Sequence, residues 1–349
     1  MILHVAGLDK FIPPFVKLVR EEFEEERHYF WLLNSPEGHP VDDGPDVYVC
    51  EKGFVAKFRG YVKLIVHLHV ANKVLLHGLF NPRLVLILAL CPWVLAKCYW
   101  VIWGNDLYQY KTVSRSAPSR IKESLRRIVI PKIGHLVTYI EGDVRLARKW
   151  YGARGVHHEC LMYLSNVVNP DIIAAPVTTT GQSGVRILLG NSAHPSNNHV
   201  EALKSLLPYK NQDIKIFVPL SYGDAKHAKK VISFGKRCFG EKFVPLTEFM
   251  AFDQYLEFLE TLDIAIFNHQ RQQAMGNTIT LLGMGKTVFM RDDVSQWEFL
   301  SGLGITLNDI AGLSLRVQGP ELARQNARIV QAYFSRETLR RQLTDIFEG

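Results

Sequence analysis

Two polar loops hold the residues best suited to chemistry. "HQRQQAMGNT", His269 to Thr278, packs one Arg, three Gln, an Asn and a Thr into ten residues, between the apolar runs "LDIAIF" and "ITLLGMGKTVFM". Arg271 can grip a phosphate with two parallel N–H bonds. Gln272 and Gln273 can bond sugar hydroxyls or a carbonyl. Gly276, Asn277 or Thr278 is expected to cap the helix that follows, whose first N–H groups favour a diphosphate. "LLGNSAHPSNNHVEAL" is the second such place. Gly190, Asn191 and Ser192 end a strand there, and Gly190 is expected to let the backbone approach a ligand. A helix starts near Ser196 to Asn198 and offers N–H groups to phosphate. Each loop also fits a plain solvated connection with an ordinary Ser or Asn cap. Two such loops, each after a parallel strand, are expected to converge on one edge.

A third group lies in "HGLFNP" and "YWVIWGNDLYQY". His77 is a candidate base because imidazole titrates near neutrality. Asp106 is a candidate base or an anchor for an acceptor hydroxyl. Trp103 and Tyr108 are expected to stack on a sugar ring, and Asn105 sits with them in the turn. The competing reading is that His77 satisfies a strand end, Asp106 caps a helix and the aromatics are core. Fourth, Lys111, Arg115, Arg120, Lys122, Arg126, Arg127 and Lys132 alternate with Ile121, Leu125, Ile128, Val129 and Ile130. That pattern fits a basic amphipathic helix on an anionic membrane surface, or a solvated face. "AKFRGYVKLIVHLH", Ala56 to His69, has the same character.

The elements around these groups alternate strand, polar turn, helix. "ILHVAG", "KVLLHG", "KCYWVIWGND" and "LVTYI" read as strands in the first half, separated by helices such as "PPFVKLVREEFEEE" and "NPRLVLILAL". This is the βαβ rhythm of a parallel sheet, whose ligands sit beyond the carboxyl ends of strands. "NVVNPDIIAAPVTTTGQSG", Asn166 to Gly184, reads as a linker. The rhythm then restarts with "VRILLGNS", "DIKIFVPL", "KFVPLT", "DIAIF" and "TVFMRD". Expected domains are residues 1–170, an acceptor-binding half, and 184–320, a donor-binding half, followed by a charge-rich helical tail over 321–349. Two halves joined by a linker imply a cleft.

Composition narrows the class. A chain of 349 residues with 47% hydrophobic and 21% charged residues suits two folded domains. The net charge of +7 favours acidic partners. Five scattered Cys without CxxC spacing fit small apolar residues in a reducing cytosol. The first residues lack the basic region and cleavage site of a signal peptide. Leu84 to Ala96, the most apolar stretch, is too short to span a bilayer, is broken by Pro92, and is expected to be a buried helix. No GxxxxGK[ST], GxGxxG or Asp-x-Asp is present. The adjacent carboxylates of Asp292 and Asp293 point apart on extended backbone. No essential metal or other cofactor is therefore expected, and positive groups with helix dipoles must neutralise a leaving diphosphate.

"LHGLFNPRL", "WVIWGNDLY", "ILLGNSAHPSNNHVEAL" and "FDQYLEFLETLDIAIFNHQRQQAMGNT", with Trp297 downstream, carry a resemblance. Through them the chain resembles the bacterial 4-acetamido-4,6-dideoxy-D-galactose (Fuc4NAc) transferase family of enterobacterial common antigen synthesis, also called the 4-alpha-L-fucosyltransferase family. The blocks span roughly residues 75 to 300. One departure is Ala274, where the family is expected to carry Gly. The resemblance implies an α/β GT-B fold of two Rossmann-like domains facing across a cleft. It implies a dTDP-linked sugar donor on the C-terminal half, where Gly190, Asn191, Ser192, Arg271, Gln272, Gln273, Gly276, Asn277 and Thr278 are the candidates to hold it. It implies a polyprenyl-diphosphate-linked acceptor on the N-terminal half, where Trp103, Asn105 and Tyr108 are the candidate contacts and Asp106 or His77 the candidate catalytic residue. It also implies a peripheral protein on the cytoplasmic face of the inner membrane. An epimerase or hydrolase of sugar nucleotides on the same plan is the alternative. A nucleic-acid binder is not expected, because the basic residues do not interleave with aromatics on a recognisable module.

Overall fold

The computed structural model describes residues 1–23, 28–33, 39–50, 53–111, 116–169 and 184–349. The chain forms two compact units, Met1–Val167 with Arg336–Gly349, and Val168–Ser335. The middle of the expected linker and Arg115 of the basic segment lie outside the described residues.

The first unit is a seven-stranded parallel sheet in the order β3-β2-β1-β4-β5-β6-β7. Its elements are β1 Ile2–Gly7, α1 Ile12–Glu22, β2 His28–Leu33, β3 Val47–Val49, α2 Phe54–Val70, β4 Lys73–His77, α3 Pro82–Leu90, β5 Cys98–Val101, α4 Ala117–Val129, β6 His135–Val137, α5 Glu141–Tyr151 and β7 Val156–His158. β1 pairs with β2 on one side (Ala6 opposite Leu32) and β4 on the other (Ala6 opposite His77), so strand order reverses at β1. The central strands are almost wholly apolar, as burial on both faces requires. Leu3, Val5, Leu64, Leu68, Val74, Leu76, Leu84 and Leu88 form one buried core beneath α2 and α3.

The second unit repeats the plan with six parallel strands, β10-β9-β8-β11-β12-β13. It contains β8 Val185–Leu189, α6 His199–Ser205, β9 Ile214–Pro219, α7 Ala225–Phe239, β10 Phe243–Leu246, α8 Phe252–Glu260, β11 Ile264–Phe267, α9 Met275–Gly283, β12 Thr287–Met290, α10 Ser295–Gly302, β13 Asn308–Asp309 and α11 Pro320–Tyr333. Here order reverses between β8 and β11, whose ends carry the two polar loops.

Three expectations change. The tail over 321–349 is divided: α11 belongs to the second unit, and a last helix, α12 Arg336–Glu348, belongs to the first. α12 returns because Leu339, Leu343, Ile346 and Phe347 are apolar and buried there. Phe347 packs edge-on against His28 at 4.6 Å. The stretch Leu84 to Ala96 is not one buried helix. α3 ends at Leu90, a 3₁₀ turn covers Pro92–Lys97, and Leu86, Leu90 and Trp93 are exposed. Finally, Arg126 of the basic segment faces inward, fully buried, so only part of that segment can meet a surface.

Candidate active site

In the second unit, the loops after β8 and β11 meet. Gln273 Nε2 donates to Asn191 Oδ1 at 2.8 Å, and Ser196 Oγ donates to Gln273 Oε1 at 2.6 Å. The centre of the assembly is Asn197, which sequence reasoning passed over. Its Oδ1 accepts from the Asn191 N–H at 3.0 Å and from His269 Nε2 at 2.8 Å. Its Nδ2 donates to the Ser192 and His194 carbonyls, both at 3.0 Å. One buried amide thus holds the loop after β8 in shape and ties it to His269 of the loop after β11. The His269 proton therefore sits on Nε2, and burial, with Arg271 as the next cause, draws that imidazole down to about 3. The neutral ring serves as a strut.

Gly190 takes a role other than close approach to a ligand. Its φ is +74°, and a Cβ there would lie 2.8 Å from Asn197 Oδ1 and 2.9 Å from His199 Nε2. Its missing side chain makes room for protein. Ser192 is likewise committed, buried against Asn197. Asn277 donates to the Tyr255 hydroxyl at 2.9 Å, and Thr278 donates to the Ala274 carbonyl at 3.0 Å.

The expected cap at Gly276, Asn277 or Thr278 is displaced. α9 starts at Met275, so these three residues lie inside its first turn. The N-cap is Ala274, at φ +58° with no side-chain cap. A left-handed backbone costs an L-residue about 1–2 kcal/mol, which explains why Gly suits this position. The Gln273 N–H just before it is held by the buried Gln296 at 2.9 Å, another residue that sequence spacing did not flag. Arg271 is half-buried, with one guanidinium N–H on the Gln272 carbonyl at 3.1 Å. What the loops present is therefore Arg271, the Gln272 side chain, the outer edge of Asn191–Gln273 and the first turn of α9. Arg291 clasps Asp293 by two bonds of 2.8 and 2.7 Å.

In the first unit, Asp106 is fully buried and saturated. Its Oδ2 accepts from Trp100 Nε1 at 2.6 Å and the Leu79 N–H at 3.0 Å. Its Oδ1 accepts from the N–H groups of Leu107 at 2.9 Å and Trp103 at 3.0 Å. Four donors fill a carboxylate's four lone-pair sites. Arg126 completes the bracket by donating to the Leu79 and Asp106 carbonyls, each at 2.7 Å. This is the geometry of an anchor for the turns after β4 and β5. It leaves no oxygen to take a proton.

His77 is also enclosed. Trp103 Nε1 can only donate, and it donates to the Tyr163 hydroxyl at 2.9 Å. The Tyr163 hydroxyl is hydrogen-bonded to His77 Nδ1 at 2.6 Å, His77 Nε2 to His4 Nδ1 at 3.1 Å, and His4 Nε2 to His28 Nδ1 at 2.9 Å. Tyr163 and the three imidazoles thus form one continuous hydrogen-bonded chain beneath the strand ends. Burial pulls His77 down to about 3 and His28 to about 4. Neither nitrogen of His77 is open, and burial keeps the ring neutral.

Tyr108 is core, buried edge-on against Trp150 at 5.2 Å. Asn105 is exposed in the turn. Trp103 is half-exposed, held edge-to-face by Phe11, Phe80 and Tyr163 at 5.6, 5.9 and 5.3 Å. It is the aromatic of this group that keeps a surface for a ligand.

Two doubly wound parallel sheets, each with polar turns where its strand order reverses, define a GT-B glycosyltransferase fold. Solved structures share it: HepE from Anabaena in complex with UDP and glucose matches with TM-score 0.67 at 12% identity, covering 100% of this chain and 99% of that one. WaaG, a glycosyltransferase involved in lipopolysaccharide biosynthesis, matches with TM-score 0.61 at 11% identity over 100% of both chains. An α,α-trehalose-phosphate synthase from Burkholderia xenovorans matches with TM-score 0.67 at 8% identity, again over 100% of both. The chain belongs to the 4-alpha-L-fucosyltransferase family, glycosyl transferase group 56, whose model matches residues 57–303. It is a glycosyltransferase, and the epimerase or hydrolase alternative gives way to that.

Proposed function

We propose that this enzyme moves a deoxyamino sugar of the 4-acetamido-4,6-dideoxygalactose type from dTDP to a polyprenyl-diphosphate-linked saccharide, without a metal ion. The observation that supports it most is the joined loop pair after β8 and β11. It carries Arg271 in the segment that leads into an uncapped helix start, and positive charge with helix-start N–H groups suits a leaving diphosphate. The second unit would hold the donor. The first would hold the acceptor, with Trp103 as a stacking surface and Asn105 beside it.

A thermal-shift screen against dTDP, UDP, GDP and CDP in the absence of metal tests the donor. A nucleotide at 100 times its Kd is expected to stabilise by about 2.7 kcal/mol. HepE was solved with UDP, so the informative contrast is dTDP against UDP. A response to UDP alone would discard the dTDP donor, and a shift only with added Mg²⁺ would discard metal independence.

The acceptor's lipid calls for a membrane-facing surface, which we place on α2 and α3 at the cytoplasmic face of the inner membrane. Among the described residues no helix is long and apolar enough to cross a membrane. α2 buries only Gly60, Leu64 and Leu68, whereas Phe54 is 88% exposed, Phe58 64% and Trp93, beyond α3, 65%. Val62, Val66, Val70, Leu86 and Leu90 extend the exposed apolar surface. Trp93 Nε1 donates to His69 Nε2 at 3.0 Å and joins the two helices into one patch. Exposed Lys57, Arg59, Lys63 and Arg83 border it, matching anionic headgroups. Burying a Phe is worth about 1.5–3 kcal/mol. The pair Phe54→Ser with Phe58→Ser is therefore expected to weaken sedimentation with phosphatidylglycerol vesicles by about tenfold or more. Unchanged binding would move the membrane surface elsewhere.

A further inference from the structure

The turn after β1 carries a residue whose part in the reaction neither its spacing nor its neighbours in sequence announce. β1 is where the first sheet reverses, the position at which ligands sit in open parallel sheets. Gly7 ends the strand exposed, and a Cβ built on it would meet nothing within 4 Å, so the strand end is open. Asp9 follows, partly exposed. Its Oδ1 accepts the Phe11 N–H at 2.8 Å, and its Oδ2 has no donor among the described residues. The Phe11 ring leans on Trp103 at 5.6 Å and on Tyr163 at 6.2 Å. Asp9 and Trp103 thus share Phe11 as a neighbour, one through its N–H and the other through its ring. After β5, Asp106 has four donors, and at the end of β4, His77 has both nitrogens engaged. Asp9, by contrast, keeps one oxygen uncommitted among the described residues.

We propose that Asp9 is the general base that takes the proton from the acceptor hydroxyl, an assignment that rests on the acceptor binding to this unit. The acceptor O–H bond breaks and its proton goes to an Asp9 carboxylate oxygen. The oxygen's electron pair forms the bond to the donor's anomeric carbon. The bond from that carbon to the diphosphate breaks, and its electrons leave with the nucleoside diphosphate. Asp9 then releases the proton to water. A single displacement of this kind inverts the anomeric centre. Burial raises the Asp9 carboxyl above its ordinary range, opposed by the Phe11 N–H and by the charges of Lys10 and His39, and the Tyr163 hydroxyl is the other titratable group nearby. A raised carboxyl is a better proton acceptor near neutrality.

The test uses the full-length enzyme, dTDP-linked 4-acetamido-4,6-dideoxygalactose as donor and a short prenyl-diphosphate-linked disaccharide as acceptor. Asp9→Asn is expected to lower kcat by about 10²–10⁴-fold, with the dTDP-induced melting shift intact. The wild-type rate is expected to fall as pH drops through the raised carboxyl pKa, and that acid limb should vanish in Asp9→Asn. The product's anomeric configuration, read by NMR, should be the inverse of the donor's. A loss under tenfold, a retained configuration, or loss of the dTDP shift together with activity would each overturn the role of Asp9 alone. A wild type that neither shifts with dTDP nor transfers the sugar would overturn the donor and acceptor reading, and this assignment with it.

Discussion

Asp106→Ala is expected to unfold the first unit more readily, lowering stability by about 3–5 kcal/mol, because it strands buried donors. The carboxylate gathers N–H groups from Leu79, Trp100, Trp103 and Leu107. Each unmatched buried donor costs about 1–3 kcal/mol, and the losses add incompletely because the turn relaxes. Asp106→Asn is expected to cost somewhat less. It restores the shape but turns an NH₂ group toward donors that need an acceptor. Urea denaturation of both variants provides the measurement, and activity should fall only as the folded fraction falls. The contrast is with Asp9→Asn, whose transition midpoint should hardly move. An Asp106→Asn enzyme with the wild-type midpoint and a thousandfold lower kcat would return the base to Asp106.

Arg271→Ala should weaken dTDP binding by about 100-fold while leaving the melting point of the free enzyme nearly unchanged. Hydrogen bonds to a charged partner are worth about 1.5–3 kcal/mol, and a bidentate grip on a diphosphate uses two of them. Roughly 2.8 kcal/mol corresponds to 100-fold in Kd. Arg271→Lys keeps the charge but not the planar fork, and should recover only part of the loss. The loops are braced by other residues: Asn197 and Gln273 carry bonds between them, and Gln296 of α10 holds the Gln273 N–H. Isothermal titration with dTDP separates the outcomes. An unchanged Kd in Arg271→Ala would remove the guanidinium from the diphosphate and leave the loop without its ligand.

The pattern of local sequence determined much of this protein. Apolar runs of four to six residues ending in Gly or Asn, each followed by a helical stripe, specify parallel strands and place polar turns at their carboxyl ends. Both loops after β8 and β11 were legible that way, as was the family, because its blocks are continuous in sequence. β2 and β3 were not. "HYFWLL" runs into a polar stretch like the others but no amphipathic helical stripe follows it before Val47–Val49, which is only three residues long.

The tertiary structure alone decided which polar residue does what. Asp106 and Asp9 are chemically the same side chain, and their sequence contexts do not tell a saturated carboxylate from one with a spare oxygen. The difference is set by donors that arrive from other elements. His77 looked like a base because imidazole titrates near pH 7. It is a buried link because His4, 73 residues away, and Tyr163, 86 residues away, take both its nitrogens. Asn197 looked like one more cap residue, and it became the hub through His269, 72 residues distant. Hydrogen-bond saturation and desolvation are properties of a folded neighbourhood. Periodicity fixes which residues end up at a strand's end, while the partners that quench or spare them come from strands that only the sheet order brings together.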